Sequence, residues 1–436
     1  MIYPTRLAVL AAAAGAPVAL LIGVLIPGRW YAGLAWPLAV LLLTAIDAAT
    51  GVRRANAKID ARATVAVGET IDATVTVTLE GRDPPRGAEV ALLVNPLFAT
   101  DDDARARVGL RDGKGAVLLA LTALRRGAGR IERVWVRWPG RLGLVWHQRS
   151  IAAETRVLIL PDIRLLKDKG AEIFRRHAME GLLMQVDRGD GTDFDALVEY
   201  RSGMDRRAID WKQSARHSKL HAKEYRTERN NQIVFAIDSG RQMSEPVAGV
   251  PRIDRAVSAA LLSAWIALKL GDRVALHAFD SRPRIASGLV SGMPAFASLQ
   301  RLAADIDYSA EETNYTFALT TLATRLTRRS MIVLFTEFTD PTSADFLVRA
   351  AMRVVKTHLL LVVVLRDAEV EAIADRAPAT ADDVTRAVTA VALLHDRRLV
   401  LARLEHLGVH VIESEHDRVG ERLVAGYVAL KRRNLL

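Results

Sequence analysis

From Leu7 to Ile26 the chain reads LAVLAAAAGAPVALLIGVLI, without one charged side chain. A run of that length and character can cross a bilayer as a helix. Hydrocarbon offers no water to backbone N–H and C=O groups, so a crossing segment of this kind is confined to helix. A second apolar run, Trp30 to Ala49, follows the short turn Pro27-Gly28-Arg29. Together they predict a transmembrane helical hairpin within residues 1–57, with spans over about 7–26 and 30–49. Trp30, Tyr31 and Trp36 fit aromatic anchors near one interface. Arg6 precedes the first run, and Arg53, Arg54 and Lys58 follow the second. The positive-inside rule then expects a multi-pass protein of the inner (plasma) membrane with everything after Ala49 in the cytoplasm. A cleaved signal peptide is the competing reading, but the first run is long for one and a second follows at once. Asp47 stands at the cytoplasmic end of the second run, where snorkelling to the interface is expected.

The chain as a whole is long enough for more than one core, since 436 residues correspond to roughly three domains. It contains no cysteine, which excludes disulfides, thiolate metal sites and cysteine nucleophiles. The formal net charge of +10 is spread among acids and forms no long basic run, so no nucleic-acid partner is expected. Surplus Lys and Arg beside an anionic membrane is the simpler account.

Over residues 58–163 the pattern has period two. Ala73, Val75, Val77 and Leu79 alternate with Thr74, Thr76 and Thr78, as a half-buried strand requires. Similar runs at 88–94, 116–121, 131–138 and 156–160, divided by GRDPPRG and WPGRLG, predict a small all-β sandwich. Asp101-Asp102-Asp103 lacks the spaced oxygens of a calcium loop and reads as a solvated turn. Residues 164–228 read as a linker, helical over about 165–191 and ending in a Gly/Asp turn, followed by a charged block.

Over 229–436 strand and helix alternate. Strands are expected at 232–237, 273–279, 284–289, 331–335, 358–365 and 409–412. Ile253, Val257, Ala260, Leu261, Ala264 and Leu268 mark one face of the first helix, with Gly271 as its stop. Such alternation predicts an α/β doubly wound, Rossmann-like parallel sheet, whose ligands bind at the carboxyl ends of the strands. Asp238, in VFAIDSGRQM, follows the first of these strands.

The run GTDFDALVEYRSGMDRRAIDWKQSARHSKLHAKEYRTERNNQIVFAIDSG resembles the signature block of a bacterial family, domain of unknown function fifty-eight. Tyr200, Gly203, Asp205, Arg207, Asp210, Trp211, Ser214 and Arg216 are among the matching positions. Val198 stands where the family commonly has arginine, and Met204 where it has aspartate. The resemblance implies a von Willebrand factor type A-like domain and a partnership with a MoxR-type AAA+ ATPase. Within the block Asp205 reads as an N-cap. Arg207, Asp210 and Arg216 read as charges near a buried Trp211, and the block as structural rather than catalytic. His217 and His221 read as exposed residues, not a metal pair, because KLHAKEY is strand-like.

Type A domains hold a divalent cation through an Asp-x-Ser-x-Ser motif, a threonine and a second aspartate. By motif matching, Asp238 takes the first position, Gly240 and Gln242 stand where the serines would be, Thr313 matches the threonine, and Glu337 replaces the last aspartate. Asp238, Thr313 and Glu337 are thus the candidate ligands for a Mg ion, which demands near-octahedral oxygen. A bound Mg and a metal-free rim whose polar groups bond one another both stay open. Asp340 reads as a helix cap. The expected function is that of a membrane-anchored binding and scaffold protein, not an enzyme, with a degenerate adhesion site meeting the ATPase in the assembly or maturation of protein complexes. A metal-dependent hydrolase using Asp238 and Glu337 is the alternative. No Gly-x-Ser-x-Gly elbow, phosphate-binding Gly-Lys loop or His-Glu-x-x-His helix supports it.

Overall fold

The computed structural model describes all residues except 26–31, 52–53, 82, 163–170, 173–187, 202–203, 205, 218, 227–230, 340 and 434. The chain divides into two compact units, Met1–Pro161 and Asp162–Leu436.

In the first unit the leading apolar run is not one helix. It forms Arg6–Ala13 and Gly15–Leu25, broken at Ala14. Pro17 explains the break: it has no N–H to give the carbonyl four residues back, and its ring crowds that carbonyl. Among the described residues one helix, Ala32–Thr50, is long and apolar enough to cross a membrane, on length and composition; the earlier apolar stretch falls short of that length. The expected turn 27–29, with Trp30 and Tyr31, lies outside the described residues. The two arms nevertheless touch. The Trp36 indole N–H donates to the Ala11 carbonyl at 2.9 Å, and a Cβ at Gly33 would sit 2.8 Å from that of Ala19.

Asp47 corrects the snorkelling expectation. It is fully buried, and its carboxylate accepts the backbone N–H groups of Leu142 (2.8 Å), Leu144 (2.9 Å) and Val145 (3.1 Å). Three amide donors stand in for water, which is what lets an acid sit at zero exposure.

The rest of this unit is a sandwich of two mostly antiparallel sheets. One orders Ile2–Pro4, Val145–Leu160, Gly127–Pro139, Gly87–Val94 and Arg105–Gly109, with Thr64–Ala66 paired parallel to the long second strand. The other orders Arg54–Asp60, Thr70–Glu80, Lys114–Ala123 and Phe98–Thr100. Along Thr70–Glu80 every second side chain is buried, as the alternation predicts. Val75, Val77 and Leu121 of one sheet share a core with Ile131, Val136, Val157 and Ile159 of the other. Each such side chain is worth about 1.5–3 kcal/mol of burial. Asp101–Ala104 is a single 3-10 turn between strands.

The second unit opens with Arg188–Glu199, a strand paired antiparallel with His221–Arg226. Residues 188–191 are therefore extended, not the expected turn; most of the expected helical linker lies outside the described residues. The main sheet has six strands in the order Pro283–Ala286, Arg273–Phe279, Gln232–Asp238, Met331–Phe335, Leu359–Leu365, His410–Ser414. All pair parallel except the first, an antiparallel edge. Numbered by chain, that order is 3-2-1-4-5-6, with the reversal between Gln232–Asp238 and Met331–Phe335. Successive residues pack on opposite faces. Phe235, Val333 and Leu361 meet the helices Arg252–Lys269, Phe296–Ala304 and Val419–Arg432. Ala236, Leu334 and Leu360 meet Tyr315–Arg325, Pro341–Val354 and the C-terminal part of Ala381–His406.

The helix Arg252–Lys269 is buried on more than its expected face, because Val419–Arg432 covers its outer side. Gly420 permits the approach: a Cβ there would lie 2.9 Å from Leu262.

Candidate functional site

The reversal of strand order places the ends of Gln232–Asp238 and Met331–Phe335 side by side, so Asp238 meets the segment Thr336-Glu337. Asp238 is fully buried. Its Oδ1 accepts from the Thr313 hydroxyl at 2.7 Å and the Gly240 N–H at 2.8 Å, and Oδ2 from the Thr336 hydroxyl at 2.6 Å. The Tyr315 hydroxyl lies 2.9 Å from Thr336 Oγ1 and 3.1 Å from the Glu337 carbonyl, closing the cluster from behind. Burial pushes the Asp238 carboxyl up to about 6, against the opposing pull of Thr336, Thr313, the Gly240 amide and Tyr315.

Gly240 is required by this packing. A Cβ would stand 2.1 Å from Thr313 Oγ1, so a serine here would displace the threonine that Asp238 holds. Gln242 is partly buried, with a side-chain oxygen that has no hydrogen-bond partner among the described residues.

Glu337, 1% exposed, turns to cations of the protein itself. Oε1 accepts from Arg397 Nη1 at 2.6 Å and from the Phe338 N–H at 3.1 Å, while Oε2 is 3.5 Å from Arg252 Nε. Arg397 also donates to the Leu365 carbonyl at 2.6 Å, and Arg252 to Asp367 at 2.6 Å. Burial raises the Glu337 carboxyl, and Arg397 and Arg252 oppose that rise. A cleft of about 160 Å³ opens beside the pair, lined by Arg252, Phe338, Asp367, Arg397 and Val400 among others.

The donor set does not fit Mg as arranged. Asp238 spends its lone pairs on hydroxyls and an amide, position 240 supplies no ligand, and Glu337 is committed to guanidinium groups. Among the described residues no cluster of three or more His, Asp or Glu could hold a metal. Asp238 and Thr313 are brought together, but by a direct hydrogen bond. The exposed rim is made by neighbours: Arg241 paired with Glu312 at 2.7 Å, Asn314, and Phe317 at 49% exposure.

Arg252, Tyr315, Thr336 and Arg397 were not foreseen. Thr336 is adjacent to Glu337 and could have been read as its companion. The arginines lie far off in sequence with no local pattern to betray them.

The charged block is built differently from expectation. Asp210 caps the helix Trp211–His217, accepting from the N–H groups of Lys212 (3.0 Å) and Gln213 (3.1 Å), and it pairs with Lys223 at 3.2 Å. Those amides and Lys223 hold its carboxyl below the usual range. Trp211 is 69% exposed rather than buried, and Arg207 and Arg216 are exposed too. Ser214 is buried and ties helix to strand, donating to the Asp210 carbonyl (2.7 Å) and accepting from the His221 N–H (2.8 Å). Tyr200 donates to the Met204 carbonyl at 3.1 Å. Gly203, Asp205 and Asp340 lie outside the described residues. His221 stands on a strand, as expected, and its Nδ1 is 2.9 Å from the Lys219 carbonyl.

Residues 197–400 match the family model described as "Protein of unknown function DUF58". No curated protein matches. Among solved structures, the conserved hypothetical protein BatB from Bacteroides thetaiotaomicron is 17% identical over 31% of this chain and 66% of its own, with a TM-score of 0.26. A cohesin module from Clostridium perfringens is 16% identical over 26% of this chain and 100% of its own, at 0.20. An uncharacterized membrane spanning protein from Vibrio fischeri is 12% identical over 46% of this chain and 98% of its own, at 0.17. Scores this low leave the function to the chain's own geometry.

Proposed function

We propose that this is a membrane-anchored binding and scaffold protein whose second unit is a von Willebrand factor type A-like domain with a cation-independent rim. The carrying observation is the internal neutralisation of Glu337 by Arg397 and Arg252 at the end of the sheet where a ligand would sit. The strand order, with its antiparallel edge, supports the type A-like reading. The apolar N-terminal arms support an integral two-span anchor, and the basic residues after the second arm support a cytoplasmic second unit.

A MoxR-type AAA+ ATPase is the partner implied by the family resemblance. Asp238 and Glu337 are too deep to touch it; Asp238, through Thr313 and the Gly240 N–H, braces the segments from which Arg241, Glu312 and Phe317 reach the surface. The same burial speaks against a hydrolase using these two carboxylates, since hydroxyls close in Asp238 and the guanidinium groups of Arg397 and Arg252 flank Glu337.

The test is copurification of the ATPase from solubilised membranes with the full chain and with Arg241→Glu and Phe317→Ala. Capture by the parent chain and its loss in both surface variants is the expected result. Undiminished capture by both would remove the rim as the interface.

A further inference from the structure

The apolar arms enter and leave the first unit at one corner. On entry, Ile2–Pro4 pairs with residues 145–147, and the Thr5 hydroxyl donates to the Gly143 carbonyl at 2.8 Å. On exit, Asp47 gathers the amides of Leu142, Leu144 and Val145, and a Cβ at Gly51 would meet the His147 ring at 2.3 Å.

Contacts carry from this corner across the end of the sandwich. Arg141 pairs with Asp83 at 2.6 Å, and a Cβ at Gly113 would lie 3.3 Å from Pro84. The Leu110 N–H donates to the Arg86 carbonyl, and Arg54 stands opposite Glu80. Arg54, Arg86, Arg111, Lys114 and Arg141 are all exposed here. The acids of this end are Glu80, Asp83 and Asp112, of which Asp83 is paired. Leu142, 52% exposed, is held by Asp47 in the same turn. Basic side chains and one exposed leucine around the base of apolar helices suit a bilayer surface with anionic headgroups.

We propose that this end of the sandwich is a lipid-contact surface. Asp47 locks the sandwich onto the helical arms, so that these basic residues meet anionic phospholipid headgroups and Leu142 enters the interface. The inference rests on the membrane anchoring proposed above.

The chain has no cysteine, so single introduced cysteines can carry a polarity-sensitive fluorophore on the full chain. Leu142→Cys is compared with Leu124→Cys, also 52% exposed but beyond the opposite end of Lys114–Ala123. Bilayers of phosphatidylcholine with phosphatidylglycerol contain brominated lipid as quencher. Quenching several-fold stronger at position 142, weakened in pure phosphatidylcholine or by Arg86→Glu with Arg111→Glu, is the expected result. Asp47→Ala is expected to reduce it while the chain still resists carbonate extraction. Equal quenching at the two positions, or indifference to lipid charge, overturns the lipid-contact surface. Release of the parent chain by carbonate overturns the anchoring beneath it.

Discussion

The Asp238 carboxyl has zero exposure, and burial and hydrogen bonding pull on its proton in opposite directions. Its folded value, about 6, lies above the ordinary 3.8, so between those values the folded chain binds the proton more tightly than the unfolded chain. Stability from this group therefore rises as pH falls through 6, by about 3 kcal/mol in full. Asp238→Asn removes that slope. The advantage of the parent over Asp238→Asn, measured by urea unfolding, is expected to grow between pH 7 and pH 5; a constant difference would show that Asp238 does not hold the proton. For the neighbouring acid, Arg397→Met strands Glu337 in the interior and is expected to cost about 3 kcal/mol. Adding Glu337→Gln should recover much of that loss, and a purely additive double variant would deny the coupling. At this scale Asp238 was legible because a strand stopped at it. Arg397 was not, because ion pairing across 60 residues of chain leaves no local trace.

Gly240 shows how the turn after a strand can depend on what a residue lacks. With no Cβ, the backbone turns close enough for Thr313 to reach Asp238, so Gly240→Ser is expected to destabilise by about 1–3 kcal/mol through overpacking. Thermal unfolding should show Gly240→Ser regaining stability when Thr313→Ala makes room; no recovery would place the strain elsewhere. Strands were the most readable elements. The cores of Thr70–Glu80 and Met331–Phe335 follow directly from alternation and from continuous apolar runs. Helices were less so, since Pro17 divided an apolar run that hydropathy alone reads as continuous. The helix Trp211–His217 took its cap from the adjacent Asp210, whose amide partners appear only once the chain turns.

At the level of the whole molecule, the chain divides after Pro161, and strand-rich alternation followed by alternating strand and helix was the legible part of that order. What it could not reach were contacts between distant segments. Asp47 is the clearest case: a carboxylate in an apolar run invites a lipid-facing explanation, whereas its partners lie in the turn around residues 142–145. Both Asp47 and Glu337 solve one problem, a buried acid, with donors drawn from elsewhere in the chain. Around Asp238 those donors are the hydroxyls of Thr313 and Thr336, and around Glu337 the guanidinium groups of Arg397 and Arg252.

Cation independence is the claim on which the functional proposal turns, and titration of Mn, a paramagnetic stand-in for Mg, into the detergent-solubilised full chain tests it directly. Electron paramagnetic resonance is expected to find the ion in its free aqua form at every ratio, identically for the parent and for Asp238→Ala. A bound fraction that saturates at one ion per chain and disappears in Asp238→Ala would contradict it.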